Sequence, residues 1–98
     1  MTTTSAGPGH VMIAVSGEID LVTREFLEAE FRQAFDPRPN NVVVDLSDVD
    51  FCDTSGLSAL VGLNTRCVAD RIALRFLPSA TIRRLLRRTG LSDLLPIG

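Results

Sequence analysis

The chain of 98 residues has no lysine, tryptophan or tyrosine, and it contains a single histidine, His10. Without lysine it cannot carry the phosphate-binding Gly-x-x-x-x-Gly-Lys loop, and it contains no Gly-x-Gly-x-x-Gly pattern either. Ser55 is the candidate nucleophile, but it lacks the Gly-x-Ser-x-Gly elbow because Asp53 stands where the first glycine would be. His10, the only histidine base, lies in a polar N-terminal segment. We therefore predict that the protein is not an enzyme.

Cysteine is also scarce, with two residues in the chain. Cys52 precedes a predicted helix and Cys67 lies along it, so roughly 15 Å separates them at 1.5 Å per residue. The Cα atoms of a disulfide must lie within about 7 Å of each other. We therefore expect two buried free thiols.

Four acidic residues lie close together after the central apolar run. They are Asp45, Asp48, Asp50 and Asp53. Their spacing does not match the calcium-binding loop of an EF-hand. We expect Ser47 and Asp48 to form turn hydrogen bonds after a strand, and Asp53 to cap a helix. The sequence therefore predicts no metal site and no cofactor.

Charge and hydropathy indicate which classes of partner to expect. The formal net charge is −2, which gives no general affinity for nucleic acid. The apolar runs are a few residues long, whereas a membrane-spanning helix needs about 20. The N-terminus lacks the basic start and apolar stretch of a signal peptide. We expect a cytoplasmic protein that neither binds nucleic acid nor inserts directly into a membrane.

Hydrophobic spacing and turn residues divide the chain into alternating strands and helices. The predicted strands are 10–19, 42–46 and 71–77, and the predicted helices are 22–35, 56–69 and 79–90. This β-α-β-α-β-α order predicts a single α/β domain with a largely parallel sheet flanked by helices. Residues 1–9 are expected to be flexible or to form a weak edge strand.

Particular residues are predicted to end the helices and to fill the core. Thr23 and Ser79 are predicted N-caps, Asp53 or Thr54 is predicted to cap the middle helix, and Gly90 is predicted to end the last one. The first helix is expected to bury Leu27, Phe31, Ala34 and Phe35. The apolar tail is expected to pack onto the core through Leu91, Leu94, Leu95 and Ile97.

The middle helix has two different faces at 100° per residue. Its predicted core stripe is Leu57, Leu60, Val61, Asn64, Cys67 and Val68. A second, small and partly apolar face consists of Ser55, Ser58, Ala59, Gly62, Leu63 and Arg66. We interpret this second face as a contact surface with the Ser55 hydroxyl at its upper end. The turn at 53–56 follows the carboxyl end of a strand, where sites in such sheets lie.

The last predicted helix carries a basic face. Its members are Arg83, Arg84, Arg87 and Arg88. A solvated face, favoured by the helix dipole near the C-terminus, is the preferred interpretation. An acidic partner is the alternative.

The segment Phe51-Cys52-Asp53-Thr54-Ser55-Gly56-Leu57, together with 43–49, 16–20 and 82–91, resembles STAS domains, in particular bacterial anti-sigma factor antagonists. The resemblance covers nearly the whole chain from residue 11 onwards. It implies a mixed sheet flanked by helices, with a first strand before 11–19. Few residues are available for that strand here, so we expect it to be short or missing. Cys52 stands where the family has a plain apolar residue, which leaves a redox role open.

The resemblance also implies a switch. It implies that Ser55 is phosphorylated by a serine kinase that is also the anti-sigma factor, and that a PP2C-type phosphatase restores the serine. The unphosphorylated form would bind the anti-sigma factor and free the sigma factor. The partner-binding residues are predicted to be Asp20, Asp53, Thr54, Ser55, Gly56, Ser58, Ala59, Gly62, Leu63 and Arg66. The alternative is a STAS regulatory subunit of an ABC-type membrane transport complex that acts without phosphorylation.

Overall fold

Four strands and three helices make up residues 2–97, the part of the chain that the computed structural model describes. The elements are β1 Thr2–Gly7, β2 His10–Ile19, α1 Leu21–Ala34, β3 Asn41–Cys52, α2 Thr54–Ala69, β4 Ala73–Pro78 and α3 Ala80–Thr89. The strands form one sheet in the order β1-β2-β3-β4. β1 runs antiparallel to β2, whereas β2, β3 and β4 are parallel to one another. The predicted mixed, largely parallel sheet is therefore confirmed.

The first strand is present, which corrects the expectation that it would be short or missing. Six residues pair with β2, from Thr2 opposite Val15 to Gly7 opposite His10. Of the two alternatives for residues 1–9, the structure forms the edge strand; Met1 lies outside the described residues. A two-residue turn joins the strands, and Gly9 has φ 75° there, a conformation that glycine adopts without strain. Backbone pairing needs no apolar pattern, so this polar strand carries little signal in its sequence.

The central strand is longer than predicted, because it continues from 46 to Cys52. β2 extends alongside it to Ile19, and two register shifts keep the two strands paired. Asp45 accepts hydrogen bonds from the Ser47 amide at 2.9 Å and the Ser47 hydroxyl at 2.6 Å beside the first shift. The expected Ser47 hydrogen bonds therefore form within an irregular strand. The polar residues that suggested a turn lie where β4 has already ended, opposite Leu46.

One face of the sheet forms the core. Residues paired across β2, β3 and β4 share a face, and the row Ile13, Val44 and Phe76 is fully buried. The side chains with almost no exposed surface are Ile13, Ile19, Val42, Val44, Leu46, Val49, Leu60, Cys67, Phe76, Ile82 and Leu86. Burying each large aliphatic side chain stabilises the fold by about 1.5–3 kcal/mol.

The helices pack largely as their periodicity predicted. α1 contacts β1, β2 and α2, while α2 also contacts β3 and β4, and α3 contacts β3 and β4. The predicted α1 stripe is confirmed, with Ala34 half-buried and its other three members buried. Ser79 caps α3 by accepting from the Ile82 amide at 3.2 Å, and Gly90 ends that helix at φ 76°.

Three residues predicted to be buried are exposed instead: Val61, Val68 and Leu94. On α2 the reason is the neighbouring helix. α1 packs along one flank of α2, so Ala59 and Leu63 on that flank are buried, while Val61 and Val68 lie on the other flank. In the tail, Leu95 is buried, and Leu91 and Ile97 pack against the core, but Leu94 points outwards.

The remaining expectations concern thiols and membranes. Cys52 and Cys67 are buried free thiols, as their separation predicted. No helix within residues 2–97 is long and apolar enough to cross a lipid bilayer.

Candidate functional site

The two helices α1 and α2 begin next to each other at one edge of the sheet. Ile19 and Cys52 end the parallel strands β2 and β3 as register partners. The Asp53 amide donates to the Ile19 carbonyl at 3.1 Å and ties the two strand ends together. Asp20 and Asp53 follow these ends as the N-caps of the two helices. Two capping carboxylates and two helix N-termini therefore lie at the carboxyl edge, where sites in such sheets are found.

Asp20 caps α1, which corrects the prediction that Thr23 would do so. Its carboxylate accepts from the amides of Val22 at 3.0 Å and Thr23 at 2.9 Å. The Thr23 hydroxyl accepts from the Asp20 amide at 2.8 Å, which completes a capping box. The Thr23 amide bond to its carboxylate lowers the pKa of Asp20, with further hydrogen bonds from the Thr23 hydroxyl and the Val22 amide. Thr23 is therefore the third helical residue rather than the cap.

Asp53 caps α2, as predicted, by accepting from the Gly56 amide at 3.0 Å. Thr54 and Ser55 are the first two residues of the helix; Thr54 is exposed and Ser55 is half-buried. No residue within 2–97 holds the Ser55 hydroxyl in a hydrogen bond, whereas the Ser58 hydroxyl donates to the Thr54 carbonyl at 3.1 Å. Ser55 thus lies at a position where free helical amides and the helix dipole favour an added anion.

Gly56 lets α2 start close against the strand ends. A Cβ at this position would lie 2.6 Å from both the Cys52 sulfur and the Ile19 Cγ2. The residue is buried. Gly56 therefore allows the first turn of α2, which carries Ser55, to pack against the strand ends. It is not itself available for contact with a partner.

The predicted contact face of α2 is only partly exposed. Ser58, Gly62 and Arg66 are exposed, as expected. Ala59 and Leu63, however, are each 4% exposed, because α1 packs against that flank. They are corrected from surface contacts to residues buried beneath the exposed ones.

A groove of about 230 Å³ runs between α1 and α2. Ser58, Gly62 and Arg66 are its polar or exposed lining on α2, and Arg24, Glu28 and Arg32 are its charged lining on α1. The buried Phe31, Ala59 and Leu63 also line it. The sequence reasoning missed this α1 wall, although the four-residue spacing of its charged side chains places them on one face of a helix. The predicted contact face is therefore half of a two-helix surface.

The start of α1 also exposes apolar side chains that the sequence reasoning missed. Leu21, Val22 and Phe26 are 68%, 74% and 74% exposed. They follow directly after the Asp20 cap. Exposed large apolar side chains beside a functional edge are typical of protein-binding surfaces.

A comparison with known protein families identifies the family of this chain. The family described as the STAS domain matches residues 2–98. The chain belongs to the STAS domain family. The family resemblance of the sequence is thereby confirmed.

This STAS domain is similar to proteins named as anti-sigma factor antagonists. It is 33% identical over 58 residues to the anti-sigma-F factor antagonist RsfB of Mycobacterium tuberculosis, a match that covers 59% of the chain and 48% of RsfB. The chain therefore spans about half the length of that curated relative. A crystal structure of an anti-sigma factor antagonist from Mycobacterium paratuberculosis has 28% identity and a TM-score of 0.88, covering 99% of this chain and 83% of the other.

Structures of SpoIIAA share the fold at lower identity. The unphosphorylated form matches with a TM-score of 0.82 and 21% identity, over 100% of this chain and 88% of the other. The phosphorylated Bacillus form matches with a TM-score of 0.77 and 22% identity, over 100% and 91% of the two chains. Both forms therefore have the architecture of this STAS domain.

The two thiols of the STAS domain are poorly suited to redox chemistry. Burial raises the pKa of Cys52 to about 11, and the Asp53 charge adds to this shift. Burial likewise raises the pKa of Cys67 to about 11. Because the thiolate is the reactive species, both side chains behave as small apolar residues near neutral pH.

Of the four clustered acidic residues, Asp45, Asp48 and Asp50 lie within β3 and Asp53 caps α2. Asp48, which was expected to form turn hydrogen bonds, and Asp50 are exposed, and their carboxylates accept no hydrogen bond within residues 2–97. Hydrogen bonds from the Ser47 hydroxyl and amide lower the pKa of Asp45. Within residues 2–97, no three His, Cys, Asp or Glu side chains are grouped so that they could hold a metal ion.

Proposed function

We propose that this STAS domain is an anti-sigma factor antagonist that is controlled at Ser55. In its unphosphorylated form it binds an anti-sigma factor with serine kinase activity, and this binding frees the sigma factor. Phosphorylation of Ser55 ends the binding, and a PP2C-type phosphatase restores it. The names of RsfB and of the M. paratuberculosis protein support this role. Residues 1–98 act as a single domain in the cytoplasm, by binding rather than by catalysis.

The position of Ser55 is the observation that carries this proposal. The residue is the second of α2 and half-buried, and its hydroxyl is not engaged by any residue between 2 and 97. Its neighbours Thr54 and Ser58 are exposed, but the Ser58 hydroxyl is already bonded to the Thr54 carbonyl. The Thr54 hydroxyl is also free of hydrogen bonds within residues 2–97, so the choice of Ser55 over Thr54 rests on the family motif that Ser55 matches.

Charge explains how a phosphate at Ser55 can act as a switch. A phosphoserine carries about −1.5 to −2 charges near neutral pH. The N-terminus of α2 can accept this anion without a change of fold. Asp20 and Asp53 already place two carboxylates at the same edge, so the added charge makes the surface strongly negative. We therefore expect a change of surface potential rather than of backbone conformation.

The proposed partner surface combines polar and apolar residues. Its exposed or half-buried members are Asp20, Asp53, Thr54, Ser55, Ser58, Gly62 and Arg66. The predicted contact residues Gly56, Ala59 and Leu63 are buried beneath them. The exposed Leu21, Val22 and Phe26 lie at the start of α1 beside Asp20. Partly apolar surfaces with polar surroundings are typical of protein interfaces.

The experiment that tests the proposal begins with capture of the partner. The Ser55→Ala variant, which cannot be phosphorylated, is used as bait in the cell that makes the protein, and the captured anti-sigma factor is then incubated with ATP and the wild-type chain. We expect one phosphate per chain, located at Ser55 by mass spectrometry, and weaker binding of Ser55→Asp than of Ser55→Ala.

Matched controls separate Ser55 from its neighbours. Ser58→Ala and Thr54→Val should still be phosphorylated, because neither change removes the Ser55 hydroxyl. Equal affinity of Ser55→Ala and Ser55→Asp for the anti-sigma factor would exclude Ser55 from the interface. Tight capture of a transporter ATPase subunit without any phosphorylation would support the transport alternative instead.

A further inference from the structure

The groove between α1 and α2 is positively lined, although the chain as a whole carries a net charge of −2. Its walls contain Arg24, Arg32 and Arg66 but a single acidic side chain, Glu28. Glu28 forms an ion pair with Arg24, and Arg66 lies 3.7 Å from the Asp70 carboxylate. Arg32 is exposed and makes no ion pair with any residue between 2 and 97. At least one cation of the groove is thus available to an external anion.

An aromatic contact holds Arg66 on the α2 wall of the groove. Its guanidinium lies over the ring of Phe35, 4.6 Å from the centroid, and this contact holds the side chain against the protein. This contact therefore fixes the positive charge of Arg66 beside the groove.

Gly62 in the α2 wall is not explained by the isolated fold. It lies within a helix of 16 residues, Thr54–Ala69, where glycine destabilises relative to alanine. Its φ is not positive, and a Cβ there would meet no atom within 4 Å. The free protein therefore has room for a side chain at this position. A chain that packs against the bare backbone of α2 gives the missing reason for glycine.

We propose that this groove binds an acidic segment of the anti-sigma factor, which lies across Gly62 and is paired with Arg32. Arg32, which has no ion-pair partner within residues 2–97, supplies charge complementarity to a carboxylate, and Gly62 supplies close approach. The identity of the partner rests on the proposed function, whereas the preference for an acidic segment rests on the groove alone.

The position of the groove connects it with the switch. Ser58 lines the groove and follows Ser55 by three residues, or about 4.5 Å along the helix axis. A phosphate on Ser55 would therefore stand at the mouth of the groove. An acidic segment in the groove would be repelled by that phosphate, which gives the charge switch a specific target.

Arginine at position 32 provides the first test, in a Ser55→Ala background that prevents phosphorylation. We expect Arg32→Glu to weaken binding of the captured anti-sigma factor about tenfold at low ionic strength, and less at high salt because screening increases. Arg84→Glu makes the same charge change on α3, where Arg84 is exposed. It should change affinity less than twofold. A larger loss with Arg84→Glu would place the acidic segment on the arginine face of α3 and overturn the proposal.

Gly62 provides the second test, because the two expected effects have opposite signs. Gly62→Ala should raise the thermal midpoint of the free chain by a few degrees. It should nevertheless weaken binding to the anti-sigma factor about tenfold. The control is Thr65→Ala, on the same helix outside the groove, which also raises helix propensity. Thr65→Ala should change the affinity for the anti-sigma factor by less than twofold. Unchanged affinity of Gly62→Ala would overturn the close approach that we propose.

A third measurement is independent of the anti-sigma factor. A synthetic ten-residue peptide of glutamate and alanine is titrated into the chain while backbone amide shifts are recorded. We expect shifts at Gly62 and Arg32 that Arg32→Glu abolishes and Arg84→Glu retains. Shifts confined to α3 would contradict binding of an acidic segment in the groove, while leaving the proposed function intact. Binding in the groove, without any anti-sigma factor captured by Ser55→Ala, would instead support the groove and count against the proposed function.

Discussion

Gly56 determines how closely α2 can approach the ends of β2 and β3. The space for its missing side chain is occupied by the Cys52 sulfur and the Ile19 Cγ2, each 2.6 Å from where a Cβ would lie. Both neighbours belong to buried core residues, so neither can move away freely. The residue before Gly56 carries the proposed phosphorylation site, which makes this contact important for function as well as for packing.

Replacing Gly56 by alanine should therefore destabilise the protein. We expect the free energy of unfolding to fall by about 1–3 kcal/mol, the usual effect of overpacking a filled core, as measured by urea denaturation. The double variant Gly56→Ala with Cys52→Ala should lose less than the sum of the two single changes, because it removes one of the clashing atoms. A Gly56→Ala variant as stable as the wild type would contradict the tight approach.

The C-terminal tail pairs alongside β4, the edge strand of the sheet. The Phe76 amide donates to the Pro96 carbonyl at 2.8 Å, and Phe76 and Ile97 form an isolated parallel bridge. Leu95 is buried in the core, whereas Leu94 next to it is 68% exposed. Adjacent leucines of the tail thus have opposite environments.

This difference predicts unequal effects of two alanine substitutions. Leu95→Ala should lower the free energy of unfolding by about 2–5 kcal/mol because it leaves a cavity, and Leu94→Ala should change it by less than about 0.5 kcal/mol. Urea denaturation measures both. Similar losses for the two variants would show that the tail does not dock as described.

The pH dependence of stability is a property of the whole molecule. Hydrogen bonds lower the pKa values of Asp20 and Asp45 below their ordinary value of 3.8. Their charged forms therefore favour the folded state; this contribution is complete above about pH 4 and is lost as the pH falls through the lowered values. Burial raises the pKa values of Cys52 and Cys67 from 9.0 to about 11. Their stabilising effect is complete below pH 9 and is lost as the pH rises to 11.

We therefore expect a plateau of stability between about pH 5 and 8, with a decline on each side. The alkaline decline can be assigned clearly, because the chain has no lysine or tyrosine to titrate there. Urea denaturation from pH 2 to 11 measures the profile. Asp45→Asn should reduce the loss of stability at acid pH, and Cys67→Ala should reduce the loss at alkaline pH. A free energy of unfolding that rose between pH 9 and 11 would contradict the raised thiol pKa values.

Much of the architecture could be predicted because it depends on local sequence. The order of strands and helices, the buried stripe of α1, and the ends of α2 and α3 at Asp53 and Gly90 follow from periodicity and from backbone groups that need a nearby partner. The strand-to-helix turn at Ser55 was predicted for the same reason. Thr23 was assigned wrongly as a cap because both residues of a capping box carry cap-forming oxygens, and only the backbone conformation distinguishes them.

The sequence by itself determined the family, the alternation of strands and helices, and the position of Ser55 at the start of α2, because each is encoded within a few neighbouring residues. Only the tertiary structure decided that β1 pairs with β2, that β3 continues to Cys52, and which flank of α2 is covered. These features depend on what lies beside an element in space. The same holds for the groove, because Arg32 lies on one of its helices and Gly62 on the other. No local pattern in the sequence brings these two residues together.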